Sequence, residues 1–357
     1  MRLFFVSFMA LCQLTASASE PADGSKVYLK ADLASSSGES GVDTRAPLFS
    51  QVVRHREGEF LWVGTTRLHA SEVFSPEEAL RRYEDQIRQT PGNAAAYRSL
   101  GAVKCDSGDF AAAIKSLDEA IRLEPEDALS FYLRGIVFMQ MHAKREIGWR
   151  VIDYWHFGPA HLAFYFNHED ALSNRRRINR DDSVVNQSRF RIENSLGNRT
   201  DEGELEQAIQ DFTKALRLDP GSVFVTCARG IAWNNKGDFD KAQIDVAAAI
   251  IRDPKAPLPL QCRALIQAYC LDKSRRDPGQ AILNARQACV LTDWKDAESI
   301  SFLAAIYAES EDFDAALHWA SVSAELAPEN KRQNEERLKC YRAKKPFTEL
   351  MSAYHRK

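Results

Sequence analysis

The chain has 357 residues, of which 45% are hydrophobic and 27% are charged, and its formal net charge is −3. This composition indicates a globular protein with two to three average domains or one long repeat array. The small negative charge argues against a basic nucleic-acid-binding surface, and no internal apolar run is long enough to span a bilayer.

The N-terminal segment 1–18 is predicted to be a secretory signal peptide. Arg2 precedes the apolar stretch 3–14, and Ala16-Ser17-Ala18 fits the small-residue pattern that comes before a cleavage site. An uncleaved membrane anchor is the alternative. We therefore expect an exported protein, periplasmic or extracellular, with no transmembrane segment after cleavage.

Residues 19–74 carry no helical period and are predicted to form a small β-rich module. Three stretches, KVYLKADLA, PLFSQVVRHREGEFLWVG and TRLHASEVF, are typical of short strands separated by polar turns. Their arrangement resembles a small SH3-like barrel of the kind that secreted bacterial proteins place before helical domains. This resemblance implies contact with peptides or cell-wall material. A strand-rich cap on the first helices is the alternative interpretation.

Residues 75–142 and 204–330 are predicted to be two parts of one helical array. Prolines end its amphipathic helices. The number of residues between Pro91 and Pro125 is the same as that between Pro220 and Pro254. Proline cannot continue a helix, so each of these residues separates one unit from the next. The charged stretch 331–357 is predicted to be a C-terminal capping helix and tail, which the exposed end of such an array needs for solubility.

The unit NAAAYRSLGAVKCDSGDFAAAIKSLDEAIRLEP resembles the tetratricopeptide repeat (TPR), a helix–turn–helix whose period matches the proline interval. The residues that carry the resemblance are Tyr97, Leu100, Gly101, Gly108, Ala113, Leu117, Ala120 and Pro125. Gly101 and Ala113 are small where two antiparallel helices would cross. The resemblance implies a mainly α fold, a TPR solenoid of antiparallel helix pairs that follows the β-rich module.

The resemblance also implies that the first helix of each pair lines a concave face that binds a protein or peptide. By repeat position, the predicted contact residues are Arg98, Ala102, Cys105, Tyr132, Ile136, Met139, Cys227, Ile231 and Asn234. This mixed, moderately apolar set favours a hydrophobic or extended partner segment. The favoured function is a non-enzymatic binding scaffold of the cell envelope or exterior. The alternative is an envelope-anchoring adaptor whose N-terminal module binds the cell wall.

Residues 143–203 are predicted to be an insertion at the turn of the second repeat, a position at the edge of a solenoid where insertions are tolerated. His156, His161 and His168 are candidate metal ligands, but their spacing matches no standard signature, which favours packed or solvent-facing histidines. The aromatic residues of the insertion form a partner-binding patch or pack back onto the repeats. A hidden enzyme or metal site in this segment is the least favoured function.

Six cysteines remain after signal cleavage, an even number that permits disulfides in an exported chain. Antiparallel pairing in the fourth unit would place Cys262 nearer to Cys289 than Cys270 is, which predicts a Cys262–Cys289 disulfide. The motifs G-x-S-x-G, H-E-x-x-H and G-x-x-x-x-G-K do not occur in the sequence. We therefore predict no catalytic residue, no metal and no cofactor.

Overall fold

The structure is a computed structural model, and it describes residues 26–29, 51–57, 59–63, 66–69, 73–146, 201–270, 272–328 and 331–346. Within these ranges, five short strands come first and twelve α-helices follow. The predicted signal peptide and residues 147–200, which make up most of the predicted insertion, lie outside the described residues.

The strands form one antiparallel sheet in the order β4-β3-β2-β1-β5. They are β1 (Lys26–Leu29), β2 (Gln51–Glu57), β3 (Phe60–Val63), β4 (Thr66–His69) and β5 (Val73–Phe74). β1 lies between β2 and β5, so the last strand returns to the first, with Tyr28 opposite Phe74. The β-rich module is confirmed, and its likeness to an SH3 barrel stays a prediction.

The sheet is joined to the helices through β1. The Tyr28 hydroxyl donates to Asp106 Oδ2 at 2.8 Å, across 78 residues of sequence. The Tyr28 ring is buried, and the side chains buried in the same cluster are Ala79, Tyr83, Leu100 and Val103. The module therefore covers the beginning of the helical array, as expected of a strand-rich cap.

Helix α1 (Pro76–Gln89) begins with the capping box that its sequence predicts. The Glu78 N–H donates to Ser75 Oγ at 3.2 Å, and the Ser75 N–H donates to Glu78 Oε2 at 2.9 Å. Two N–H groups without partners inside the helix are satisfied in this way, and Pro76 suits the first turn. Helix α1 packs on the first complete helix pair.

Ten further helices form five antiparallel pairs, called here the first to fifth hairpins. They are α2 (Ala94–Asp106) with α3 (Phe110–Leu123), α4 (Ala128–Glu146) with α5 (Asp201–Leu218), α6 (Val223–Lys236) with α7 (Phe239–Arg252), α8 (Pro257–Tyr269) with α9 (Pro278–Leu291), and α10 (Ala297–Glu309) with α11 (Phe313–Leu326). A 3₁₀ turn (Lys273–Arg275) lies between α8 and α9, and α12 (Lys331–Arg342) packs on α11.

Short polar motifs set the turns within the hairpins. Asp109 and Asp238 each accept a hydrogen bond from the backbone N–H three residues later, which starts α3 and α7. The glycines just before them, Gly108 and Gly237, have φ of 77° and 86°. Residues with a Cβ rarely adopt this left-handed conformation, so the turn requires glycine. The G-D pair in the sequence therefore fixes the length of these two turns.

Glycine also permits the close crossing of paired helices. A Cβ added to Gly101 would lie 2.6 Å from Leu117 Cγ, and one added to Gly135 would lie 2.6 Å from Phe212 Cε1. Both distances are far below van der Waals contact. The large side chain on the second helix therefore occupies the space that a side chain on the first helix would need.

The hairpins share one core. Buried apolar residues from Ala102 to Ile306 form a single cluster that runs through all five hairpins. At the C-terminal end, Tyr341 of α12 is fully buried against the fifth hairpin. No single hairpin could bury its apolar stripe alone, and stacking completes the core. The predicted solenoid of antiparallel helix pairs is confirmed.

Candidate functional site

The nine predicted contact residues all lie on the first helices of the first three hairpins, α2, α4 and α6. Arg98 stays partly accessible, with 18% of its side chain exposed, and its Nη1 donates to Asp127 Oδ2 at 2.5 Å. The other eight side chains are buried: Ala102, Cys105, Tyr132, Ile136, Met139, Cys227, Ile231 and Asn234.

This burial has a physical cause in the stacking of the first helices. Each first helix contacts the first helix of the next hairpin, so these positions fill the seam between helices. Burial raises the pKa of the Tyr132 hydroxyl, and the neighbouring thiols of Cys227 and Cys262 raise it further. These eight side chains therefore lie in the packed seam between the first helices. Which of the nine residues contact a partner stays a prediction.

Polar atoms on each of these helices are buried without a hydrogen-bond partner among the described residues. They include Gln140 Oε1 on α4, Asn234 Oδ1 on α6 and Arg98 Nε on α2. A buried polar group left unpaired costs about 1–3 kcal/mol. Asn234 belongs to the predicted face, and Gln140 directly follows Met139, which also belongs to it. The interior helices thus carry hydrogen-bonding capacity that their own core does not use.

A row of arginines links successive hairpins on the side of the second helices. Arg134 donates from Nε and Nη2 to Asp211 at 2.8 and 2.7 Å and from Nη1 to Asp118 at 2.6 Å. Burial opposes the charge of Arg134, but the hydrogen bonds and charges of Asp211 and Asp118 outweigh burial and raise its pKa. Because Asp211 is on α5 and Asp118 on α3, one guanidinium joins its own hairpin to the preceding one.

The third hairpin repeats this arrangement. Arg229 donates from Nε and Nη2 to Asp245 at 2.8 and 2.7 Å, and from Nη1 to Thr213 of the preceding hairpin at 3.3 Å. Neither cluster was predicted from the sequence. Their signal is an arginine just before the crossing glycine, Gly135 or Gly230, with an acidic residue at a fixed place on the second helix.

A cavity of about 670 Å³ lies beside the turn of the third hairpin, next to the 3₁₀ turn. Its aromatic walls are Trp233 and Phe239. Its cations are paired with carboxylates of the chain itself: Lys236 with Glu206, Lys241 with Asp238 at 2.6 Å, and Arg275 with Asp240 at 2.9 Å. Because these charges neutralise one another, the cavity offers no unsatisfied charge to a ligand.

The cysteines do not form the predicted disulfide in this structure. Cys262 and Cys289 are both buried free thiols. Cys262 is a neighbour of Cys227 on the preceding first helix, and it adds to the effect of burial in raising the pKa of Cys227. Burial raises the pKa of Cys289 to about 12. A buried thiol with a raised pKa is chemically inert.

The candidate metal ligands of the insertion, His156, His161 and His168, lie outside the described residues, as do its aromatic residues. Within the part of the chain that is described, no group of three or more His, Cys, Asp or Glu side chains is placed to hold a metal ion. None of the described helices is both long enough and apolar enough to cross a membrane.

Two family models match this chain. A TPR repeat model matches residues 103–141, and a tetratricopeptide repeat model matches residues 200–222. These segments lie on α2 to α4 and on α5, on either side of residues 147–200. The fold defines the class of protein, an α-solenoid of stacked helix hairpins. The matched segments are tetratricopeptide repeat sequences, and arrays of this class are scaffolds for protein–protein interaction.

Several solved structures are similar to the chain at low identity. MamA is 17% identical, with 62% of this chain and 90% of MamA covered and a TM-score of 0.38. YrrB, described as a TPR protein with an unusual peptide-binding site, is 13% identical, with 70% and 94% covered and a TM-score of 0.35. TTC0263, a thermophilic TPR protein of Thermus thermophilus, is 14% identical, with 74% and 90% covered and a TM-score of 0.37. No curated protein sequence matches the chain.

Proposed function

We propose that this protein is a non-enzymatic scaffold of the cell envelope or exterior, and that the first helices of its array bind a protein or peptide. The observation that carries the proposal is the pair of buried amide oxygens, Gln140 Oε1 and Asn234 Oδ1, that have no partner among the described residues. Native cores rarely leave such atoms unpaired, so each one calls for a specific explanation.

A bound polypeptide supplies what these two oxygens lack. An extended segment carries one backbone N–H donor per non-proline residue, which can pair with an amide oxygen. Each hydrogen bond so formed contributes about 1 kcal/mol of net stabilisation. Gln140 and Asn234 therefore orient the partner.

The test replaces both amides by apolar residues of similar size, Gln140→Leu with Asn234→Leu. We expect the free energy of unfolding to stay unchanged or to rise, because two unpaired buried acceptors are removed. Capture of partners by the full-length protein from the native envelope fraction should fall by about 10-fold or more. Gln287→Leu, an exposed amide on α9, is the matched control and should leave capture unchanged. Unchanged capture in the double variant would contradict the proposal.

The predicted contact residues give a second test of the same face. Tyr132→Ala with Met139→Ala removes two large side chains of α4, and both are buried, so circular dichroism must first show that the variant keeps its helical content. A folded variant that still captures the same partners at wild-type level would show that α4 is not part of the binding face.

The proposed location rests on the segment 1–18, with Arg2, the apolar stretch and the Ala16-Ser17-Ala18 site. We expect mature protein isolated from its native host to begin at Ser19 and to fractionate with periplasmic or extracellular proteins. Mass spectrometry of the intact protein is the measurement, and a cytoplasmic protein that retains residues 1–18 would refute export. Contact between the β-rich module and the cell wall stays a prediction.

A further inference from the structure

The second helix of each hairpin presents three outward positions at spacings i, i+4 and i+7, which share one face of a helix. In α3 these residues are Lys115, Glu119 and Arg122, and in α5 they are Gln210, Lys214 and Arg217. In α7 they are Ile244, Ala248 and Ile251, and in α9 they are Leu283, Gln287 and Val290. The same positions are thus polar in two hairpins and mainly apolar in the next two.

The apolar side chains on α7 and α9 are in solvent. Ile244 is 66% exposed, Ile251 79%, Leu283 59% and Val290 49%. The polar residues at the same positions of α3 and α5 show that the fold does not require apolar residues there. Grouped exposed apolar side chains on a soluble protein mark interaction surfaces.

An arginine of α8 distinguishes this surface from a merely apolar one. Arg263 directly precedes Ala264, the residue one repeat after Gly230, so it occupies the repeat position of Arg134 and Arg229. Those two arginines are held by Asp211 and Asp245. Arg263 is exposed and has no hydrogen-bond or ion-pair partner among the described residues.

The fourth hairpin lacks the acidic residues that hold the other arginines. Asn284 of the fourth hairpin corresponds to Asp245 of the third. Each lies the same number of residues after the N-cap of its second helix, which is Asp277 in the fourth hairpin and Asp238 in the third. Asn284 is engaged elsewhere, because its Nδ2 donates to Gln267 Oε1 at 2.8 Å. Asp118 of the first hairpin binds the arginine of the second hairpin. Ala247 occupies the same position in the third hairpin, so it offers no carboxylate to Arg263 of the fourth.

The location of Arg263 follows from the other two arginines. Arg134 reaches between α3 and α5, and Arg229 reaches between α5 and α7. Helix α8 packs against both α7 and α9, so the equivalent arginine lies between these two helices. The repeat position of Arg263 therefore lies between the apolar stripes of α7 and α9.

We propose that the outer face formed by α7, α8 and α9 docks a segment of a partner protein that is apolar on one side and carries a carboxylate, with Arg263 as the binding site for that carboxylate. Arg252 and Arg286 are also exposed and without an ion pair among the described residues, and they add positive charge around the stripes. Arginine with apolar neighbours is typical of interface centres. The proposal rests on the proposed scaffold function and adds a second binding face to it.

Charge argues against a second copy of this chain as the occupant. A symmetric contact between two copies of this chain would bring the patch that carries Arg252, Arg263 and Arg286 against the same patch of the second copy. Like charges at close range are repulsive, and this face has no acidic residue at the arginine position to offset them. An anionic membrane would satisfy the arginines, so the experiment includes vesicles as a separate arm.

The test is selection of binders from a displayed library of short helical peptides, using the full-length protein as bait. We expect selected peptides to carry apolar residues at i and i+4 and at least one Asp or Glu beside them. Peptides with that carboxylate changed to Lys should bind about 10-fold more weakly. The Arg263→Glu variant should reverse this preference. Ile244→Ser with Ile251→Ser should weaken binding by about 10-fold or more, because two apolar contacts are lost.

Matched controls separate this face from the inner one. Lys115→Ser with Arg122→Ser alters the same positions on α3 and should leave peptide binding unchanged. Gln140→Leu with Asn234→Leu should also leave it unchanged, so failure of the inner-face function and failure of this proposal are distinguishable. Selected peptides without acidic enrichment, or binding that ignores Arg263→Glu, would overturn the proposal.

Two further outcomes would replace the proposed occupant. A concentration-dependent dimer in light scattering that Ile244→Ser with Ile251→Ser abolishes would assign the face to a second copy of the chain. Binding to phosphatidylglycerol vesicles, absent with neutral phosphatidylcholine vesicles and lost in Arg263→Glu, would assign it to an anionic membrane. Either result would overturn docking of a protein segment.

Discussion

The third and fourth hairpins are neighbours in the same array, and the arginine at one repeat position has a different role in each. In the third, Arg229 is bound by Asp245 and joins the hairpin to the one before it. In the fourth, Arg263 occupies the same repeat position without a partner among the described residues. The comparison shows that replacing one acidic residue on the second helix releases an arginine from holding the fold.

The fourth hairpin stays together because other contacts replace the arginine cluster. Asn284 of α9 donates to Gln267 of α8 at 2.8 Å. Gln261 of α8 donates to Ser299 of the fifth hairpin at 2.8 Å, in a buried position. Neutral amides therefore provide the links within and between hairpins that the charged pair provides in the third. An arginine that is not needed for folding is available to a partner.

The largest expected effect comes from breaking the charged pair of the third hairpin. Asp245→Ala should lower the free energy of unfolding by about 3 kcal/mol, because it leaves the partly buried Arg229 without its carboxylate. The matched change in the fourth hairpin, Asn284→Ala, removes a neutral hydrogen bond and should cost about 1 kcal/mol. Urea unfolding of both variants measures the difference. Equal losses would mean that the two hairpins are held in the same way.

The next effect concerns the helix crossings. Gly135→Ala should cost about 2 kcal/mol, because its Cβ would lie 2.6 Å from the Phe212 ring. Gly230→Ala should cost less, because its nearest side-chain atom, Val246 Cγ2, is 3.1 Å away and the helix gains propensity from alanine. The fourth hairpin already has Ala264 at this position. Thermal unfolding of both variants measures these losses. A larger loss of stability for Gly230→Ala than for Gly135→Ala would contradict this expectation.

The fourth hairpin also carries a thiol, Cys289, where the third has Ile250. Burial raises the pKa of Cys289 from an ordinary value near 9 to about 12. A raised pKa in the folded state means that the contribution to stability is complete below pH 9 and is lost as pH rises toward 12. Between these values the wild type should lose about 1.4 kcal/mol per pH unit relative to Cys289→Ala. Urea unfolding at pH 8 and pH 10 measures this loss, and parallel curves for the two proteins would show that the thiolate is tolerated.

The smallest effect is expected on the outer face. Ile244→Ser and Ile251→Ser should each change the free energy of unfolding by no more than about 0.5 kcal/mol, because both side chains are largely in solvent. Their buried neighbour on α7 gives the contrast, since Val246→Ala should cost about 1–3 kcal/mol. A large loss in the serine variants would place these isoleucines in a core and remove them from the proposed docking face.

The sequence predicts the hairpins well because their determinants are local. The regular proline interval, the Gly108-Asp109 turn and the Ser75–Glu78 capping box each depend on residues close together in the chain. The packing between hairpins is not local, and the predictions that depended on it were less successful. Repeat position places Tyr132 on the correct helix, but it does not reveal how closely the next first helix covers it.

The missed arginine clusters have a different cause, because Asp211 and Asp245 lie in the same hairpins as Arg134 and Arg229. Asp211 lies 77 residues from Arg134 in sequence, and only the fold brings the two side chains together. The partner of Cys262 was predicted from its own hairpin, whereas the structure places it beside Cys227 of the preceding one. Residues 147–200 lie outside the described residues, so the roles predicted for them stay predictions.

The most direct measurement is a double-mutant cycle that gives Arg263 the acidic residue it lacks. Ala247→Asp places a carboxylate on α7 at the position that Asp118 occupies beside Arg134. If Arg263 lies between α7 and α9, unfolding of Ala247→Asp, Arg263→Gln and the double variant should give a favourable coupling of about 0.5–1 kcal/mol between residues 247 and 263. The Ala247→Asp protein should also lose its preference for acidic peptides. A coupling of zero, with that preference retained, would contradict the assignment of Arg263 to the outer face.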